Sequence, residues 1–181
     1  MTPRSYVLPL VLSILAGAGS AQQGDDLFAF IPPGGRTLLE RGLAAGDAEL
    51  AAAIATARPA VEWSAFFAES ADAALSGLDD WERQTLADYL AYTGAIAPGA
   101  ELPTDGRDMM LARCQSCHII TVTVTQARTR DAWLATLGRT SHVEIPLGAA
   151  EREQLADYLA VNAGLPIDVI PPELRAGGAS Y

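Results

Sequence analysis

Cys114-Gln115-Ser116-Cys117-His118 is the stretch of the chain whose residue types and spacing point to definite chemistry. Two cysteines three apart, with a histidine directly after the second, read as a c-type haem attachment site. Each thiol adds across one vinyl group of the porphyrin, and the adjacent imidazole lies beneath the iron as its proximal ligand. Cys114 and Cys117 are the only cysteines among the 181 residues, and His118 is one of two histidines. Chance explains scarce residues in this order poorly. Two other chemistries use the same residue types. A redox dithiol belongs in a βαβ setting with a strand before the motif, whereas the residues before Cys114 read as helix. A structural zinc needs a closed shell of four ligands, and His142 follows His118 by 24 residues, outside finger spacing. One covalently attached haem c on Cys114, Cys117 and His118 is the reading that fits.

The elements that must hold this motif are helical. Thr104 or Asp105 is placed to cap a helix running toward Cys114. Thr129 caps a second helix, which contains Trp133 and ends near Gly138. A third begins near Gly148 with Glu151 and Glu153 in its first turns, where negative charge suits the helix dipole. It carries Leu155, Tyr158 and Leu159 on one face and stops near Gly164. Thr121-Val122-Thr123-Val124-Thr125 alternates as a strand does. A lone strand has no sheet to join, so an extended loop beside the haem is expected there. The fold class is all-α.

The same pattern stands twice in the chain. Residues 78–91 and 147–160 are identical at nine of fourteen positions, each block ending Leu-Ala-Asp-Tyr-Leu-Ala. Trp63 and Trp133 precede the blocks at nearly equal distances, and Gly35-Arg-Thr-Leu-Leu39 matches Gly106-Arg-Asp-Met-Met110. Shared order across three landmarks favours duplication over convergence of two amphipathic helices. Two tandem lobes follow, residues 25–94 and 104–165. The Pro/Gly-punctuated stretch 95–103 links them. The tail 166–181, with Pro171-Pro172 and Gly177-Gly178, cannot continue a helix and is expected over the surface. Superposing the halves puts the haem motif near Leu43 to Asp47, where no cysteine or histidine stands. The first lobe is expected to hold no haem.

The second half resembles the class I c-type cytochromes. That family places a glycine eight residues, and a bulky apolar residue four residues, ahead of the first haem cysteine; Gly106 and Met110 match. The resemblance implies that Tyr158 packs over Gly106 where the entering helix crosses the last one, glycine permitting the close approach. It implies a degenerate cytochrome lobe for the first half. Arg128-Thr-Arg-Asp-Ala-Trp133, with Arg139 beyond, is similar to haem subunits that serve periplasmic dehydrogenases, such as the two-lobed haem domain of quinohemoprotein amine dehydrogenases. The family usually supplies its sixth iron ligand as a methionine on the loop before the last helix. Here Thr140 follows Arg139 where related sequences read Arg-Met, and no methionine follows the motif. Met109 and Met110 suit helix packing. His142 is the strong ligand on that loop, so the sixth position is either His142 or open. Arg128, Arg130 and Arg139 are candidates to fork the haem propionates, and Trp133 is a core residue. Pro146 shapes the loop.

Charge and leader narrow the function. All 12 basic residues are arginine and the formal net charge is −10, which argues against nucleic acid and anionic lipid as partners. Residues 22–105 carry 14 acidic and 4 basic side chains; residues 106–181 carry 8 and 7. The first lobe is thus acidic beside a nearly neutral haem lobe, fit to steer a basic partner or to serve as a solvated surface. Residues 1–21 read as a secretory signal, a positive start and a short apolar run closing on Gly19-Ser20-Ala21, with cleavage expected after Ala21 and an uncleaved anchor as the alternative. No other segment reads as a membrane span. The expectation is a periplasmic electron carrier, not an enzyme, exchanging single electrons with redox proteins, as a subunit of or acceptor for a dehydrogenase. The alternative is a haem enzyme or sensor whose open sixth position binds peroxide or nitric oxide.

Overall fold

The computed structural model describes residues 27–70 and 73–175; the expected export signal and residues 176–181 lie outside them. Every regular element among the described residues is helical, in keeping with an all-α class. In the first half these are α1 (Gly35–Ala44), α2 (Ala48–Ala53), α3 (Ala60–Glu69), α4 (Ala73–Ser76) and α5 (Asp80–Thr93). The second half holds α6 (Gly106–Arg113), α7 (Thr121–Val124), α8 (Arg130–Leu137) and α9 (Ala149–Asn162). Their starts are set by side chains that satisfy orphan amides. Asp79 and Glu82 form a reciprocal capping box on α5, and Asp105 and Asp108 do the same on α6. Thr129 accepts from the Ala132 amide at α8, and the Glu151 carboxylate accepts from the Gly148 amide at 2.6 Å.

The matching stretches of sequence make matching contacts. α1 packs on α5, and α6 packs on α9. A Cβ at Gly35 would stand 2.2 Å from the Tyr89 Cβ, and one at Gly106 would stand 2.2 Å from the Tyr158 Cβ. Both crossings therefore need glycine for backbone approach. Arg58 lies 5.1 Å over the Trp63 ring as Arg128 lies 5.2 Å over Trp133.

α5 and α9 also pack against each other, and the contacts around that joint are reciprocal. The Tyr158 hydroxyl donates to the Pro32 carbonyl at 2.8 Å, and the Tyr89 hydroxyl donates to the Pro103 carbonyl at 2.9 Å. Each tyrosine thus anchors the segment entering the other half's first helix. Burial pushes the Tyr89 phenol up to about 12 and raises Tyr158 as well. The Arg36 amide donates to Asp105, and Asn162 donates to the Thr85 hydroxyl at 2.8 Å.

Two apolar clusters flank the joint. Leu38, Leu39, Leu50, Trp63, Phe67, Leu86 and Leu90 belong to one; Met109, Met110, Ile120, Val124, Trp133, Leu155 and Leu159 belong to the other. Ile31, from the start of the chain, and Ile170, from the tail, are buried in the second cluster. Full burial of such a side chain contributes about 1.5–3 kcal/mol, so these segments are part of the core. The tail accordingly does not lie wholly over the surface as expected. Two 3₁₀ turns, Ile167–Val169 and Pro172–Leu174, carry Ile170 inward, and the Thr121 hydroxyl bonds the Leu174 carbonyl.

One local expectation fails. Residues 121–124 are helical, not extended. Burial of Ile120 and Val124, a bond from the Thr125 hydroxyl to the Thr121 carbonyl at 2.7 Å, and capture of the Val124 carbonyl by the Gly164 and Leu165 amides override the strand-like alternation.

Candidate functional site

Cys114 terminates α6, whose far end is fixed by the Gly106–Tyr158 crossing and whose flank buries Met109 and Met110. Cys114–Ser116 form a 3₁₀ turn, tied down by the Ser116 hydroxyl on the Arg113 carbonyl at 2.8 Å and the Gln115 amide on the Leu111 carbonyl at 2.9 Å. Both cysteines are free thiols. Cys114 is half-buried, and burial pushes its thiol up against the pull of a hydrogen bond from the Thr123 hydroxyl; Cys117 is exposed. The His118 Nδ1 stands 3.4 Å from the Ile119 carbonyl. Proton sharing on that side favours the tautomer whose Nε2 lone pair is free for a metal.

Cys114, Cys117, His118 and His142 all line one cleft, of about 900 Å³ including the solvent in its mouth. Trp133, Leu137, Ile145 and Leu159 make its apolar wall. Arg113, Arg128 and Arg139 also line it, and no aspartate or glutamate does. In a chain of net charge −10 this is a local inversion of sign. An apolar body with anionic edge groups fits such a lining, and a porphyrin with its propionates is of that kind. Two thiols, an imidazole beside them and three guanidiniums are all on the same cleft.

The first half is filled differently at the corresponding positions. Where α8 carries Thr136 and Leu137, three and four residues after Trp133, α3 carries Phe66 and Phe67 after Trp63. The rings of Trp63, Phe66 and Phe67 lie 5.7–5.9 Å apart, centroid to centroid, so aromatic side chains fill that core. Leu50, Leu75 and Phe67 are fully buried there.

The structure separates the arginine candidates. Arg128 faces the cleft, braced by the Thr136 hydroxyl at 2.7 Å and by Gln126. Arg139 is exposed at the rim. Arg130 instead pairs with Asp157 and Glu153 on the outside of α9 and does not line the cleft. Trp133 is buried with its indole Nε1 unpartnered, a donor at the cleft wall beside Arg128. The Trp63 Nε1 is unpartnered too, so the feature belongs to the repeated pattern as much as to the cleft. Thr140 and Pro146 are exposed.

Residues 139–147, of which Arg139, Ser141, His142 and Ile145 line the cleft, form a loop of tight turns. His142 is half-buried on it, its Nδ1 3.1 Å from the Ser141 hydroxyl. Two residues here escaped sequence reasoning. Arg113 was legible as the basic residue directly before Cys114. Arg152 reaches from α9 to four carbonyls of this loop and to that of Leu137 at the end of α8, and its signal was the Glu-Arg pair common to both repeated blocks. No family model matches the chain, and no curated protein or solved structure is significantly similar to it.

Proposed function

We propose that this chain is an exported monohaem c-type cytochrome that passes single electrons between redox proteins, with a dehydrogenase among its partners. The observation that carries the reading is the composition of one cleft: both cysteines, His118, His142 and three arginines, with no carboxylate, in an acidic protein. When bound, the haem supplies reversible one-electron chemistry at its iron. The protein's own work is static. Cys114 and Cys117 tether, His118 ligates, and the Ile119 carbonyl orients its ring. Arg128 and Arg139 answer the propionates, and Trp133, Leu137 and Leu159 exclude water. The aromatic filling of the first half suits a scaffold or docking lobe that holds no haem. No helix among the described residues is long and apolar enough to cross a membrane.

An open sixth position would make the same cleft a site for peroxide or nitric oxide. A peroxidase needs a side chain that moves protons over the iron; His142 is the side chain of the lining suited to that work, and a His142 bound to the iron would not be free for it. The test is reversible titration of the purified protein followed by a ligand challenge. A carrier shows a low-spin spectrum in both oxidation states, cycles without loss and resists carbon monoxide. Rapid carbon monoxide binding together with peroxide consumption would replace it with the enzyme.

A further inference from the structure

We propose that Arg152 is the positioning residue of the His142 side of the cleft, holding that loop at the depth where the His142 ring would meet the iron of a bound haem. The inference rests on the haem reading given above. Its basis is a guanidinium whose hydrogen bonds go to four carbonyls of the 139–147 loop and to Leu137, the last residue of α8. Nη1 donates to the Leu137 carbonyl at 2.7 Å and the His142 carbonyl at 3.2 Å. Nη2 donates to Val143 at 3.1 Å and Ile145 at 2.8 Å, and Nε donates to Leu147 at 3.2 Å. Five N–H groups is the full complement of an arginine, and no carboxylate competes for any of them.

Such an arrangement does something the loop cannot do for itself. The carbonyls of a short irregular loop repel one another when they converge, and turns alone leave many of them unpaired. A planar cation with five donors in a fixed fork collects them and fixes the loop's curvature. Arg152 sits in the first turn of α9. Four residues after the Gln154 carbonyl, the same helix makes the close crossing with Gly106 on α6, and α6 ends at Cys114. Both sides of the cleft are therefore referenced to one helix: the motif through the glycine crossing, the His142 loop through Arg152. The repeat supplies the contrast. Arg83, the matching residue on α5, bonds the Leu78 carbonyl at 2.7 Å and Asp80, and gathers no loop. Bonding the carbonyl at the helix start is common to both halves. Gathering the other four belongs to the half with the cleft.

The experiment uses the full chain exported with its haem, as wild type and as Arg152→Ala, Arg152→Lys and Arg83→Ala. Three readouts are taken: haem retention on denaturing electrophoresis, the spin state of the oxidised protein, and the rate of cyanide binding. Arg152→Ala should stay covalently loaded while becoming largely high-spin and binding cyanide at least tenfold faster. Lysine carries a point charge that reaches only some of the carbonyls, so Arg152→Lys should fall between wild type and alanine; it also carries the test if the alanine variant fails to fold. Arg83→Ala should keep the wild-type spectrum and rate, which separates loop positioning from general loosening. Loaded Arg152 variants that keep the wild-type spin state and cyanide rate overturn the proposal. So does a wild type already high-spin, or an Arg83→Ala effect equal to that of Arg152→Ala. A wild type that carries no covalent haem is a different failure, of the haem reading itself.

Discussion

Gly106→Ala probes the contact that aims the motif. The added Cβ would stand 2.2 Å from the Tyr158 Cβ, 2.8 Å from its Cγ and 3.2 Å from the Gln154 carbonyl oxygen. Carbon atoms settle at about 3.5–4.0 Å, so α6 and α9 must part by about 1.5 Å. Met110 and Leu159 are buried on either side of the crossing, and parting the helices thins their packing. Overfilling of this kind costs about 1–3 kcal/mol. Weakening the Tyr158–Pro32 hydrogen bond adds about 0.5–1.5 kcal/mol, and alanine's helix preference returns at most about 1 kcal/mol. The net loss is about 2 kcal/mol, or about 4–8 °C in Tm for a chain of this size. Thermal and urea unfolding of the full chain measure it. Gly35→Ala should cost a similar amount, because its Cβ would stand 2.2 Å from the Tyr89 Cβ. Gly138→Ala is the control, with nothing closer than 3.4 Å and an ordinary φ of −86°. Equal stability of the Gly106→Ala and Gly138→Ala proteins would refute the reasoning.

Two further substitutions test the joint between α5 and α9. Gln154 is buried with both amide atoms unpartnered, so Gln154→Met, of similar volume, should stabilise by about 1 kcal/mol or more in urea unfolding. A loss instead would mean that ordered water in the adjoining cavity of about 20 Å³ satisfies the amide. Asp88 is held above the usual carboxylate range by burial and by Asp157, against a hydrogen bond from Gln84 and the charge of Arg130. An acid whose folded pKa is raised keeps its proton where the unfolded chain has released it, so its contribution to stability falls as pH rises from 3.8 through the folded value. Asp88→Asn removes that slope, and its stability relative to wild type should grow from acid toward neutral pH. A difference that is flat with pH would contradict the assignment.

What the sequence made legible was local or repeated. The cysteine pair, the histidine, the caps at Asp105 and Thr129, and the Gly106–Tyr158 crossing were expected from spacing, local chemistry or the resemblance, and the helices begin and end close to the expected residues. Thr121 to Val124 misled because alternation of threonine and valine is a strand signal, while the deciding contacts come from Gly164, Leu165 and Leu174 far along the chain. The same distance hid Ile31, which packs with the second cluster, and the Tyr158–Pro32 bond, whose partners are 126 residues apart. Among the arginines, charge and proximity alone could not tell Arg128 from Arg130; two residues apart, one faces the cleft and the other pairs with α9. The first half's lack of haem ligands was plain in the sequence. That Phe66 and Phe67 fill its core needed the packing.

The central claim is a single haem bonded through Cys114 and Cys117. The direct measurement is intact-protein mass spectrometry on the exported full chain after acid–acetone extraction, with Cys114→Ser, Cys117→Ser and the double variant beside it. The account predicts one haem retained by the wild type, a weaker single tether in each single variant, and none in the double variant, with the pyridine haemochrome spectrum giving one haem per chain. Haem that extracts freely from the wild type, or two haems per chain, would contradict it.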